Sequence, residues 1–297
     1  MSNLSDLLEV YIITYNRCAE VVATVEQLLV SPFAECSITV LDNCSTDDTL
    51  ARIQGIASGN EKLRYIRNVV NIGAAANAIQ PFLMAKTPYT WVVCDDDYLD
   101  FSKTADVLAE LRNESATLLI VGGHAEPTRP TAGRTADAAS LIDQGLNYFR
   151  DTSFLPSTIY STAYARRHIV GCYAFCTMHY PHIAILLGAY FERVSCYVSK
   201  NRLVVPSIGT QSYSQTSQML WWFGLARTID DRVVRRQFLS SQFVGLLDKT
   251  GLYGLLNTLV RMRLFGKVFE ALRLYRFRVV GAVCRMIGAR MRGIRYR

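Results

Sequence analysis

Long hydrophobic runs are missing from this chain. Its most apolar stretches, Phe243 to Val260 and Phe277 to Ala289, are broken by Asp248 and Lys249 and by Arg278 and Arg285. A bilayer-spanning helix takes roughly 20 apolar residues in sequence, so a chain that crosses a membrane is not expected. Paired cysteines are missing too. The 8 cysteines are scattered without a Cys-x-x-Cys pair, which speaks for reduced thiols and against a disulfide framework. Met1 to Glu9 lack the basic and apolar segments of a secretory signal, and a cytosolic location is the expectation. Acidic residues are scarce at one end only. Residues 261–297 hold eleven Arg or Lys and a single Glu270, whereas the preceding 260 carry 21 basic and 24 acidic residues. The net charge of +7 therefore belongs to the tail. Half of the 297 residues are apolar, enough for a sizeable core and unlike a disordered or fibrous composition.

What is present alternates. Glu9–Thr14 reads as a strand and Ala19–Leu29 as a helix ended by Ser31-Pro32; Ser37–Leu41 is a second strand and Thr49–Ala57 a second helix. Leu63–Ile66, Ala74–Met84 and Tyr89–Cys94 continue the pattern. Strands that are apolar throughout, separated by helices, predict an α/β fold with a mostly parallel sheet covered on both faces. Ligands bind such sheets beyond the carboxyl ends of the strands, and the polar clusters Thr14–Arg17, Asp42–Asp48 and Asp95–Asp97 fall there. Leu118–Val121 reads as a further strand, Gly122–Ala139 as a loop, and 150–210 as short strands with one helix starting near Pro181. From Ser214 the pattern turns helical and basic. The expected organisation is a catalytic domain over 1–213, divided at 122 into a nucleotide half (1–122) and an acceptor half (123–213), followed by a helical basic region over 214–297.

Asp95-Asp96-Asp97 carry the first chemical signal. Three consecutive carboxylates repel one another, and gathering them after a buried strand calls for a cation. Mg2+ or Mn2+ suits, because these hard ions take one or two carboxylates and complete their shells with phosphate and water oxygens. A solvated acidic turn or helix cap would use the same residues. Two further clusters favour the ligand-binding reading. Asp42 can accept from a pyrimidine N–H while Ser45 or Asp47 caps the next helix. Asn71-x-Gly73-x-x-x-Asn77 sets a glycine where backbone approaches a ligand, although plain helix packing would also explain it.

The ordered set Thr14-Tyr15-Asn16-Arg17, Asp42-Asn43-x-Ser45-Thr46-Asp47-Asp48-Thr49, Asn71-x-Gly73-x-x-x-Asn77 and Asp95-x-Asp97 resembles the nucleotide-sugar half of inverting glycosyltransferase family 2, which has the GT-A fold. The resemblance covers residues 9–122. It implies that Thr14, Asn16 and Asp42 line the nucleoside pocket, with Tyr15, Arg17 and Asn43 beside them. It places Asp95 near the ribose or diphosphate, Asp96 as its supporting neighbour and Asp97 as the metal ligand, with Asp95 assisting. The expected partners are a nucleotide-sugar donor and a Mn2+ or Mg2+ ion.

Such transfer also needs a general base for the acceptor hydroxyl. The family commonly carries a Glu-Asp pair at a helix start; the matching segment here holds Pro181 and His182. Histidine is a competent base, so His182 is the first candidate, His179 the second and Asp151 an alternative. Cys172, Cys176, His179 and His182 also present zinc-type ligands within eleven residues, in a spacing too compressed for the usual finger. Phe154–Tyr160, Tyr213, Trp221, Trp222 and Phe223 are acceptor-surface candidates that ordinary core packing would also use, and Gln211–Gln218 a candidate lid. The tail alternates apolar and basic residues, which suits helices on an anionic bilayer at the inner face of the cell membrane and a lipid-linked saccharide acceptor. No motif supports nucleic acid. A nucleotidyltransferase would share the aspartates but needs a glycine-rich phosphate loop that Thr14–Arg17 is not; an inert nucleotide-sugar or membrane-binding module is the reading from outside enzymes.

Overall fold

The computed structural model describes residues 3–123, 130, 132–144, 146, 148–207, 215–239 and 241–242. Its strands are β1 (Leu8–Thr14), β2 (Ser37–Asp42), β3 (Leu63–Arg67), β4 (Tyr89–Cys94), β5 (Tyr98–Leu99), β6 (Leu118–Ile120), β7 (Arg134–Asp137), β8 (Thr158–Ser161), β9 (Ser195–Val198) and β10 (Val204–Val205). An eight-stranded sheet runs in the order β3-β2-β1-β4-β8-β6-β9-β7, and β5 pairs with β10 in a small second sheet. β3, β2, β1 and β4 are mutually parallel. β8 joins antiparallel between β4 and β6, and β7 closes the edge antiparallel to β9. This is the expected α/β, mostly parallel sheet flanked by helices.

The parallel half forms because its strands bury both faces. β1, β2 and β4 are apolar and buried nearly end to end, which only a sheet covered on both sides accommodates. The Cys18–Leu29 helix turns Val21, Val22, Val25 and Leu28 inward, a single stripe at helical spacing. These meet Val10, Ile12, Ile38, Val40, Trp91 and Val93 in one core. Each fully buried aliphatic contributes about 1.5–3 kcal/mol relative to exposure. Trp91 is buried with its indole N–H donating to the Pro156 carbonyl at 2.8 Å, which ties β4 to the segment leading into β8. At the opposite end, the buried Glu9 carboxylate accepts from Tyr11 Oη at 2.7 Å and from the Lys86 and Thr87 backbone N–H groups at 2.7 and 3.2 Å.

Register brings the motifs together. Thr14 pairs with Asp42, Asp42 with Arg67, and Ile13 with Cys94, so the polar ends of β1, β2, β3 and β4 share one edge. β6 runs in the same direction as β4, two places along. Its end, Gly122-Gly123, and the start of β8 therefore lie on that edge as well.

Two expectations are corrected. Gly122–Ala139 is not loop throughout: β7 occupies Arg134–Asp137 and a helix begins at Ala138, capped by Asp137 accepting from the Ala139 and Ser140 N–H groups. Between 150 and 210 there are two further helices, Thr162–Arg167 and Ile169–Phe175, before the expected one at Ile183–Phe191. The chain divides into two compact units, Met1–Ser212 and Tyr213–Arg297. In the second, Gln215–Thr228 is helical. Asp231 accepts from the Val233 and Val234 N–H groups to start another helical stretch over 232–239. Among the described residues no helix is long and apolar enough to cross a membrane. Tyr213, positions 211–214 of the lid and the basic tail over 243–297 lie outside the described residues.

Candidate active site

The loop after β1 is held open by a left-handed residue. Asn16, at φ 52°, accepts from the Thr46 N–H at 2.7 Å while its own N–H donates to Ser45 Oγ at 2.8 Å. Asn tolerates this backbone region better than most residues. Asp47 fastens two helix starts at once, accepting from the Cys18 N–H at 3.0 Å and from Thr49 Oγ1 at 2.6 Å. Tyr15 stands exposed on the same loop.

Asp42, at the end of β2, is fully buried. It accepts from the Ser45 N–H at 3.0 Å, from the Ser45 hydroxyl, and from Tyr65 Oη at 2.5 Å, and Arg67 Nε stands 3.5 Å away. Neighbouring Asn43 accepts from Asn68 Nδ2 and the Ile72 N–H, both at 3.0 Å, and donates to Asn71 Oδ1 at 2.8 Å. Asn71 in turn accepts from the Gly73 N–H at 2.8 Å. Gly73 adopts φ 85° with nothing near its missing side chain, a bend glycine makes without steric cost. Asn77 is buried on the next turn, bonded to Asn68 and to the Leu41 carbonyl. The predicted Asn43, Asn71, Gly73 and Asn77 thus form one hydrogen-bonded rim beside Asp42.

The aspartates follow β4. Asp95 accepts from Thr14 Oγ1 at 2.7 Å and from Arg17 Nη1 at 3.3 Å, and its carbonyl accepts from Thr24 Oγ1 at 2.9 Å. The same Arg17 guanidinium pairs with Asp96. Burial pushes the Asp95 carboxyl up to about 6 against these partners. Asp97 is different. Its Oδ1 accepts a long 3.4 Å bond from the Ser207 N–H, the Cys94 thiol lies beside the carboxyl, and its Oδ2 is buried with no hydrogen-bond partner among the described residues. Burial, then the charge of Asp96, push this carboxyl up to about 7. A buried carboxylate oxygen without a donor is the kind of group a bound cation satisfies.

No group of three or more His, Cys, Asp or Glu side chains among the described residues is arranged to hold a metal. The zinc reading of Cys172, Cys176, His179 and His182 is therefore set aside. Cys176 Sγ instead faces the Cys172 carbonyl at 3.5 Å, and His182 faces Ser153. A cation between Asp97 and Asp95 would draw its other ligands from phosphate and water, as Mg2+ and Mn2+ do.

His182 stands at the start of the Ile183–Phe191 helix, 3% exposed. One ring nitrogen, Nε2, lies 3.0 Å from the Ser153 carbonyl. A carbonyl only accepts, so Nε2 carries the proton and Nδ1 the lone pair; Nδ1 is buried without a partner. Burial drops its pKa to about 4. Ser153 precedes the turn Leu155–Ser157, whose Ser157 carbonyl accepts from the Val121 and Gly122 N–H groups at 2.7 and 3.0 Å. His182 is thereby tied through Ser153 to the segment that leads into this turn. His179 is exposed in a left-handed turn. Asp151 is buried, packed so closely on Gly123 that a Cβ there would meet its Oδ1 at 2.8 Å. Trp221 is half-buried and Trp222 buried. The sequence reading missed Tyr65 and Arg67. Their alternation on β3 was visible, but only the β2–β3 register aims both at Asp42.

Comparison with known proteins fits this geometry. Residues 9–174 match the family model of glycosyl transferase family 2. Over 91 residues the chain is 26% identical to WcaA of Escherichia coli (strain K12), named for colanic acid biosynthesis glycosyl transfer. That match takes in 31% of this chain and only a third, 33%, of the relative's length. S. aureus TarS 1–349 in complex with UDP-GlcNAc superposes with a TM-score of 0.55 at 17% identity, over 80% of this chain and 73% of that one. The mannosyltransferase PcManGT from Pyrobaculum calidifontis, in complex with GDP-Man and Mn2+, does so with 0.56 at 11% identity, over 94% and 80%. These likenesses establish a shared GT-A architecture. With more than half of its length on the family model, and with the family's motifs gathered on one sheet edge, the chain belongs to glycosyl transferase family 2.

Proposed function

We propose that this glycosyltransferase moves a hexosyl group from a nucleoside diphosphate sugar to a lipid-linked saccharide hydroxyl, with inversion, in surface-polysaccharide (O-antigen type) synthesis. The observation that carries the reading is Asp97 Oδ2, buried and without a hydrogen-bond partner among the described residues, beside the Arg17-paired Asp95 and Asp96. Asp97, assisted by Asp95, would hold Mn2+ or Mg2+, which supplies positive charge for the departing diphosphate. The chain's own residues do the rest. Thr14, Asn16 and the Asn43–Asn71–Gly73 rim bound the nucleoside end. Arg17, already facing the aspartates, offers a second cation to the same phosphates. His182 takes the acceptor proton at Nδ1, with Ser153 fixing its tautomer. Attack from the face opposite the leaving group inverts the anomeric centre.

The lipid-linked acceptor and the seat at the inner face of the membrane draw support from the basic, apolar-interleaved tail. The name of WcaA is in keeping with a polysaccharide product. A thermal-shift screen of nucleotide sugars with and without Mn2+ tests the proposal, since a ligand of the folded state raises its apparent stability. A shift that needs sugar nucleotide and metal together is expected. No shift with any nucleotide sugar in the presence of either ion would overturn it.

A further inference from the structure

We infer that the catalytic unit docks on an anionic lipid bilayer through a face of its own, built on the Ala74–Met84 and Ile169–Phe175 helices. The inference deepens the membrane seat proposed above and rests on that reading, but on none of the tail's residues. Val170 is 78% exposed and Tyr173, three positions on, 50%. Leu83 and Phe191, on the two helices packed against theirs, are 47% and 54% exposed. Exposed apolar side chains scattered singly are ordinary, but several on adjoining helices mark a contact surface. Packing fixes their outward aim. Cys172 is buried, and a Cβ at Gly171 would meet Ala184 Cβ at 3.0 Å, so this side of the helix is seated on Ile183–Phe191. Val170 and Tyr173 take the other side, where a helix in water carries polar residues.

The charge on these segments is nearly all of one sign. Residues 74–88 and 162–194 hold Lys86, Arg166, Arg167 and Arg193 against a single acidic residue, Glu192. Arg167 pairs with Glu192, which also lies 3.2 Å from His168 Nε2, and Arg193 faces Asp137 at 3.5 Å. Arg166 donates to the Phe82 and Leu83 carbonyls at 2.8 and 3.2 Å and to that of Ala85, which fixes its cation beside Leu83. Lys86 is exposed two residues after that helix ends. Apolar side chains flanked by Lys and Arg match acyl chains beneath anionic headgroups, with the long basic stems lying along the apolar surface. A neutral protein partner would leave Lys86 and Arg166 without counter-charge, and a second copy seated face to face would set like charges together. The turn Cys176–Met178 joins this helix to the segment bearing His182, so the docking face adjoins the segment of the proposed base.

The test is co-sedimentation of the full chain with vesicles of phosphatidylcholine containing roughly one-third phosphatidylglycerol. Val170→Ser combined with Tyr173→Ser leaves every charge in place and should weaken partition about tenfold, the loss of two partly buried apolar side chains. A tryptophan reporter separates this face from the tail. Val170→Trp should add emission that vesicles of brominated lipid quench. Val30→Trp should not: Val30, 86% exposed, ends a helix packed on the sheet face of Ile159, whereas Phe82 packs on that of Tyr160. Far-ultraviolet circular dichroism confirms that each variant folds. Partition unchanged by the double variant, or unquenched Val170→Trp emission while the wild type sediments, overturns the inference and leaves the tail's membrane seat standing. Equal partition onto phosphatidylcholine alone overturns the anionic match. A double variant that loses a dimer by light scattering but keeps its partition assigns the face to a second copy and overturns the inference too. Wild type that stays in the supernatant overturns both readings.

Discussion

Replacing His182 by glutamine separates its proton chemistry from its packing. Glutamine can still donate to the Ser153 carbonyl that Nε2 faces at 3.0 Å, but it offers no titrating lone pair. In the wild type, burial drops the imidazole from the ordinary 6.5 to about 4. Between those values the unfolded chain binds a proton at His182 that the folded chain does not, so stability is lost as pH falls. At 1.36 kcal/mol per unit, the full shift of 2.5 units is worth about 3 kcal/mol. Integrated from about pH 7.5 to about pH 5, this single residue should destabilise the protein by about 2 kcal/mol. Asp95 and Asp97, raised to about 6 and about 7, act in the opposite direction, because the folded state holds their protons longer. Both proteins keep those aspartates, so they cancel in the comparison. Urea unfolding of the two proteins across this range is the assay. The wild type should lose about 2 kcal/mol more than the variant on acidification. Parallel stability curves would refute the burial argument. In the same variant, sugar transfer should vanish while donor binding persists; retained turnover would remove His182 from the role of base.

Two further perturbations act on the aspartates. Asp97→Asn should abolish Mn2+-dependent stabilisation by the donor. It should also raise ligand-free stability near pH 8 by on the order of 1 kcal/mol, since the buried carboxylate at about 7 weakens the fold as pH rises through its titration; unchanged Mn2+ affinity by calorimetry would count against its role. Arg17→Met strips Asp95 and Asp96 of their counter-ion. Mn2+ without nucleotide should then bind several-fold more tightly, and calorimetry showing no gain would mean that the charge of Arg17 does not oppose the metal.

Much of the parallel half was legible because burial on both faces leaves a run of apolar residues with sharp polar ends. Thr49–Ala57, Ala74–Met84 and Tyr89–Cys94 fall within their expected bounds for that reason. β7 was not legible. As an edge strand of Arg, Thr, Ala and Asp, it buries little on either face and carries no period-two signal. Long-range pairing was the other blind spot, and it changes the case for the metal. Repulsion among Asp95, Asp96 and Asp97 called for a cation, and the protein supplies one itself: Arg17, 78 and 79 positions earlier, pairs with two of the three and offsets one of their charges. Charge balance is then only partly met within the protein. A geometric demand stands beside that charge: Asp97 Oδ2 is buried with no hydrogen-bond partner among the described residues, and the carboxyl has only the weak Cys94 thiol and the long Ser207 bond beside it. Nothing about residue order distinguishes Asp97 from Asp96 in this respect. The difference arises because the chain turns from β4 into β5 and pairs with β10, carrying Asp97 under Ser207 while Asp96 stays beside Arg17. Part of the demand for a divalent ion therefore comes from one carboxylate oxygen set by that turn, and that part should survive any change to Arg17 but not the loss of Asp97.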